Sequence, residues 1–137
     1  MVLDYGIAYP HKVTRMVLRG FFTARQAELD FIDQGGLKIF FPDVWDEFVA
    51  SVPAEHANNP SGYHVPRMLG DDPVAAKASA YAYSRLEGGA LKLDDRNPPE
   101  DFEEFDPSGT IIECHYLANA CFLKEGEILA NAKKLTM

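Results

Sequence analysis

Cysteine, basic residues and long apolar runs are all in short supply here, and each shortage excludes something. The sequence holds two cysteines among 137 residues. Cys114 and Cys121 would stand about 10 Å apart along a helix and farther along a strand, too far for a disulfide unless a turn intervenes. Two free thiols are expected, and no CxxC or short Cys/His spacing points to a metal. No uncharged run approaches the roughly 18 apolar residues of a membrane span. The first residues include Asp4 and lack the basic start and apolar block of a signal peptide, so a cytoplasmic location is expected.

Thirteen Lys and Arg stand against twenty-one Asp and Glu, for a formal net charge of −8. Such a surface repels phosphate backbones and anionic membranes, so neither nucleic acid nor membrane is expected as a partner. The patterns GxGxxG, GxxxxGK[ST], GxSxG and HExxH are absent, as is any internal repeat. No cofactor is expected. What remains is an ordinary globular composition, 47% hydrophobic and 25% charged, long enough to fill one domain over residues 1–137.

The strongest local signals lie between Thr23 and Val52. Thr23 and Gln26 read as a capping box opening a helix at Ala24 that Gly35 or Gly36 ends. Leu37 to Phe41 reads as a short extended run. Pro42 then starts a second helix whose stripe of Val44, Trp45, Phe48, Val49 and Val52 faces the core, with Pro53 as its stop. Residues 10–19 read as a helix, although their β-branched content suits a strand nearly as well.

Residues 53–70 carry turn formers without a period and read as a long loop. Asp72-Pro73 announces a helix running to about Glu87, where Gly88-Gly89 should end it, with Ala75, Ala78, Ala82 and Leu86 on one stripe. Ala90 to Leu93 reads as a short strand. A second long loop covers 94–109, and Thr110 to Leu117 alternates as a strand, followed by a hairpin turning at Gly126. The expected fold is therefore α+β: one domain in which N-terminal and central helices pack on a small, mainly antiparallel sheet.

Two groups of residues carry candidate chemistry. On a strand, Glu113 and His115 would project from one face, where the carboxylate could orient the imidazole for proton transfer, with Tyr63 or Tyr116 as a donor. The plain alternative is an ion pair on a half-exposed strand. His56 and His64, in the first loop, lack the spacing of a zinc site and read as surface histidines. The stretch from Asp94 to Asp106 holds seven acids and lacks the glycine and terminal glutamate of a calcium loop. Within it, Phe102 and Phe105 lie three apart among Glu100, Asp101, Glu103 and Glu104. They could present an apolar anchor ringed by negative charge to a basic groove on another protein. The plain alternative is that both rings fix the loop to the domain's own core.

The sequence thus suggests an acidic interaction module binding a protein with a basic surface, as an inhibitor, immunity-type or assembly subunit. The second reading is a small cofactor-independent acid–base enzyme of the dehydratase, isomerase or cyclase type.

Overall fold

The computed structural model describes residues 2–91 and 101–135. Seven α-helices follow one another: α1 (Val2–Ala8), α2 (Gln26–Asp33), α3 (Pro42–Ala50), α4 (Pro60–Met68), α5 (Pro73–Leu91), α6 (Ser108–Ala118) and α7 (Glu127–Asn131). Short 3-10 turns cover Pro10–Lys12, Gly36–Ile39, Ala54–His56, Ala120–Phe122 and Ala132–Leu135. Among the described residues there is no strand, so the expected α+β fold with a small antiparallel sheet is wrong and the architecture is helical. No helix among these residues is long and apolar enough to cross a membrane.

The largest departure is α6. Its residues alternate as a strand would, yet Ile111 and Cys114 also fall at helical spacing, and both pack into the core. Asp106 decides the local start: its carboxylate accepts from the backbone N–H of Ser108 at 3.0 Å and from the Ser108 hydroxyl at 2.7 Å. These bonds turn the chain into a helix rather than an extended run. The second half of the expected hairpin is likewise α7, which begins after Gly126 and buries Ile128.

The loop expected over 53–70 holds α4, opened by Asn59, whose side chain accepts from the Gly62 N–H at 2.9 Å. Proline at the next position suits the first turn of a helix, because its missing N–H has no partner there. The same device opens α5, where Asp72 accepts from Val74 and Ala75 at 2.9 and 3.2 Å. In α2 the reach-back to the cap comes from Glu28, bonded to the Arg25 N–H at 3.0 Å, and the helix starts at Gln26. Residues 10–19 hold only the 3-10 turn.

The core gathers Trp45 and Phe48 from α3, Met68 from α4, Ala80, Tyr83 and Leu86 from α5, Cys114 from α6, and Phe105 from the preceding turns. Helix α5 is its axis and touches α3, α4 and α6. Its buried face is Ala75, Ala76, Ser79, Ala80, Tyr83 and Leu86, small residues that let neighbours approach closely. Gly88-Gly89 does not stop it. A side chain on Gly89 would stand 2.8 Å from both methyl groups of Val44, so glycine there lets α3 lie against α5. At the other end of the molecule α1 packs on α7 and the final turn. Gly6 is buried there, and a Cβ on it would meet Met16 Cε at 2.7 Å and Leu135 Cδ2 at 2.9 Å.

Candidate functional site

Tyr83 is the centre of the most unusual electrostatics. Its ring is buried in the core, and its phenol lies within range of Asp33 from α2, Glu87 from α5, and Glu113 and Cys114 from α6. Desolvation, reinforced by those negative charges, raises the phenol well above its ordinary range. Burial also lifts the Glu87 carboxyl to about 7, and the neighbouring charge of Glu113 adds to the rise. Asp33 is raised by burial as well, an effect that the nearby Ser61 hydroxyl, the charge of Asp30 and the Tyr83 phenol modify. Burial pushes the Cys114 thiol up to about 11, with Asp33, Glu87 and Glu113 adding their charge. A thiol so placed is a poor nucleophile at neutral pH.

Beside this group is a cavity of about 260 Å³, lined by residues that include Leu29, Ile32, Val65, Leu117, Asp33 and Tyr83. Its lining mixes apolar and polar side chains, and of the acids near Tyr83 it includes Asp33 but neither Glu87 nor Glu113. Glu113 is exposed and Asp33 and Glu87 are half-buried, and negative charge beside a partly desolvated carboxyl makes its ionisation costly. A cation entering the cavity would relieve that cost. Among the described residues no three His, Cys, Asp or Glu side chains are arranged to hold a metal ion.

A second buried polar group lies on the other side of the core. His64 stacks on Phe48 with ring centroids 5.1 Å apart, and its Nε2 is 2.9 Å from the Ser51 hydroxyl. That hydroxyl donates to the Phe48 carbonyl at 2.6 Å, so it can only accept from the imidazole. Nε2 therefore carries the proton, and Nδ1 is a buried acceptor with no partner among the described residues. Burial, with the charge of Arg67 beside it, lowers this histidine to about 4. It is a neutral core residue, not the surface histidine its sequence neighbourhood suggests.

The residues singled out from sequence are scattered. Glu113 and His115 are both exposed on α6, and two positions along a helix turn side chains to nearly opposite sides. The His115 ring packs near Tyr116 and Phe122, with centroids at 6.3 and 5.6 Å. Tyr63, on α4, sits against His56 and His64 with Arg67 over its ring. Of the acidic segment, Glu100 lies outside the described residues, while Asp101, Glu103 and Glu104 are exposed. Phe105 is 7% exposed and belongs to the core, whereas Phe102 is 37% exposed and leans edge-on against Tyr81 at 5.2 Å. Lys77 donates to the Glu103 carbonyl at 3.1 Å. Phe105 thus fixes the segment to its own core.

The chain is similar to proline iminopeptidases. It is 33% identical over 140 residues to the proline iminopeptidase of Xylella fastidiosa (strain Temecula1 / ATCC 700964), covering 98% of this chain and 44% of that protein. With the proline iminopeptidase of Arabidopsis thaliana it shares 31% over 142 residues, 98% of this chain and 37% of that protein. The match to the Neisseria gonorrhoeae proline iminopeptidase is 29% over 135 residues, 94% and 42% of the two lengths. The chain therefore spans less than half the length of these curated relatives. No family model matches it.

These relatives are named as peptidases, which overturns both functional expectations from the sequence: the protein-binding accessory or inhibitor module, and the isomerase-like acid–base enzyme. Glu87, Asp33 and Tyr83 are not among the residues singled out from sequence. A signal existed, because Tyr83 and Glu87 are four apart on a helix and share a face. Reading Gly88-Gly89 as a stop placed Glu87 at a frayed, solvated end instead.

Proposed function

We infer that this chain supplies the substrate-recognition part of a peptidase acting on N-terminal proline. In this reading Asp33, on the cavity wall, receives the positively charged imino nitrogen of the substrate, with Glu87 and Glu113 adding negative charge nearby. The apolar cavity walls at Leu29, Ile32, Val65 and Leu117 take the ring. The observation that carries the reading is the position of Asp33 on the wall of a cavity that also holds Leu29, Ile32, Val65 and Leu117, with burial raising its carboxyl. A carboxylate so placed has an electrostatic deficit that an organic cation makes good. The names of the relatives support the choice of proline as that cation's source. Two unpaired cysteines support a reducing, cytoplasmic setting for it.

Calorimetric titration with prolinamide and with N-acetylprolinamide tests the reading. The free imino compound should bind, and the acetylated one, which carries no charge, should not. Asp33→Asn should weaken prolinamide binding by at least tenfold, the scale of a lost charge-assisted hydrogen bond. Binding should also strengthen as pH rises through about 7, where Glu87 ionises. Equal binding of the two compounds would remove the imino nitrogen from the account.

A further inference from the structure

The segment after α6 is unusual in its backbone. Ala120, Cys121 and Phe122 follow one another with φ of 49°, 53° and 59°. Left-handed conformations are costly for residues with a Cβ and normally occur singly, so three in a row are held in place by something outside themselves. The restraint is visible at Glu125. One of its oxygens accepts from the backbone N–H of Gln26 at 2.9 Å, and the other from Arg25 Nε at 3.3 Å. The loop after α6 is thereby pinned to the first turn of α2, where an anion also meets the favourable end of the helix dipole.

One residue of this segment, Ala120, lines the cavity. Gln26, Leu29, Ile32 and Asp33 of α2 form one wall, Cys114, Leu117 and Ala118 of α6 another, and Ala120 completes the lining. Glu125 therefore ties the segment that follows the α6 wall to the start of the α2 wall. The tie is also weak: its charged side chains are 47% and 59% exposed, and such pairs contribute little and are screened by salt.

We propose that residues 119–126 form a latched strap at the edge of this cavity, strained in the closed state and released when Glu125 lets go of α2. The strain at 120–122 favours opening and the Glu125 contacts oppose it. Neither needs the substrate to be proline, so the device stands apart from the assignment of the ligand.

Cys114 reports on the strap, because its thiol lines the cavity and is 2% exposed when the strap is closed. The experiment follows alkylation of Cys114 in the full chain, resolved from Cys121 by peptide mass spectrometry. Glu125→Ala should speed labelling of Cys114 by about threefold to fivefold, the effect of losing an exposed ion pair with its backbone hydrogen bond. Added salt should speed labelling of the wild type and leave Glu125→Ala unchanged. Ala120→Gly, which removes strain from the closed state, should slow it. Unchanged labelling in Glu125→Ala would overturn the proposal. So would a rise that follows global unfolding, with the full urea dependence and a matching fall in melting temperature.

Discussion

The charge of Glu113 on α6 adds to burial in lifting the carboxyl of Glu87 on α5 to about 7. The relationship has a sign. A carboxyl whose pKa rises on folding, here from an ordinary 4.5, binds its proton more tightly in the native state. Its stabilising contribution is complete below about 4.5 and is lost as pH rises through about 7. Glu87→Gln should therefore leave urea stability near pH 4.5 almost unchanged. At pH 8 it should raise stability by roughly 3 kcal/mol, following 1.36 kcal/mol per pKa unit. Equal effects at both pH values would show that the carboxyl does not titrate in this range.

His64 behaves in the opposite sense. Its pKa falls on folding, from 6.5 to about 4, so its contribution is present above 6.5 and is lost as pH drops through about 4. Comparing unfolding of the wild type and His64→Leu across pH 7 to 4 should show a shallower loss in the variant. Identical slopes would mean that another group carries the acid sensitivity.

Phe105 and Phe102 should part company on truncation. Phe105→Ala removes a core ring and should cost about 3–5 kcal/mol, like Trp45→Ala, whereas Phe102→Ala should cost about 1 kcal/mol or less, since its ring is partly in water. Chemical denaturation of the three variants checks the order.

Gly89→Ala should destabilise although alanine is the better helix former, because the new methyl would collide with Val44. A loss of about 1–3 kcal/mol is expected. Most of it should return in Gly89→Ala with Val44→Ala, since the smaller side chain vacates the space. A stabilising Gly89→Ala would remove the close approach of α3 and α5 from this description.

The helices starting at Pro42 and Pro73 were legible because capping chemistry, proline and apolar period agree there, and Trp45 is buried as its stripe implies. Helix α4 was hidden by residues that serve both turns and helix starts: Asn59 and Pro60 open it, yet in sequence they look like loop. At α6 the decision between periods 2 and 3.6 rested on which residues find a core, and the alternation of Ile112, Cys114 and Tyr116 was misleading because two of the three are exposed. The site was harder still. Asp33, Glu87 and Glu113 come from three helices, and no spacing in the chain announces that they surround one tyrosine. The stripe on α5 was misplaced in part: Ala78, read as one of its members, is exposed, while Ser79 beside it is buried.

The lack of room around Gly6 joins parts of the chain distant in sequence. Because α1 rests on α7 and on the turn Ala132–Leu135, segments from opposite ends of the described chain close on each other. They act as a clasp with Gly6 at its pivot: a larger side chain there would press on Met16 and Leu135 and force the two halves of the clasp apart.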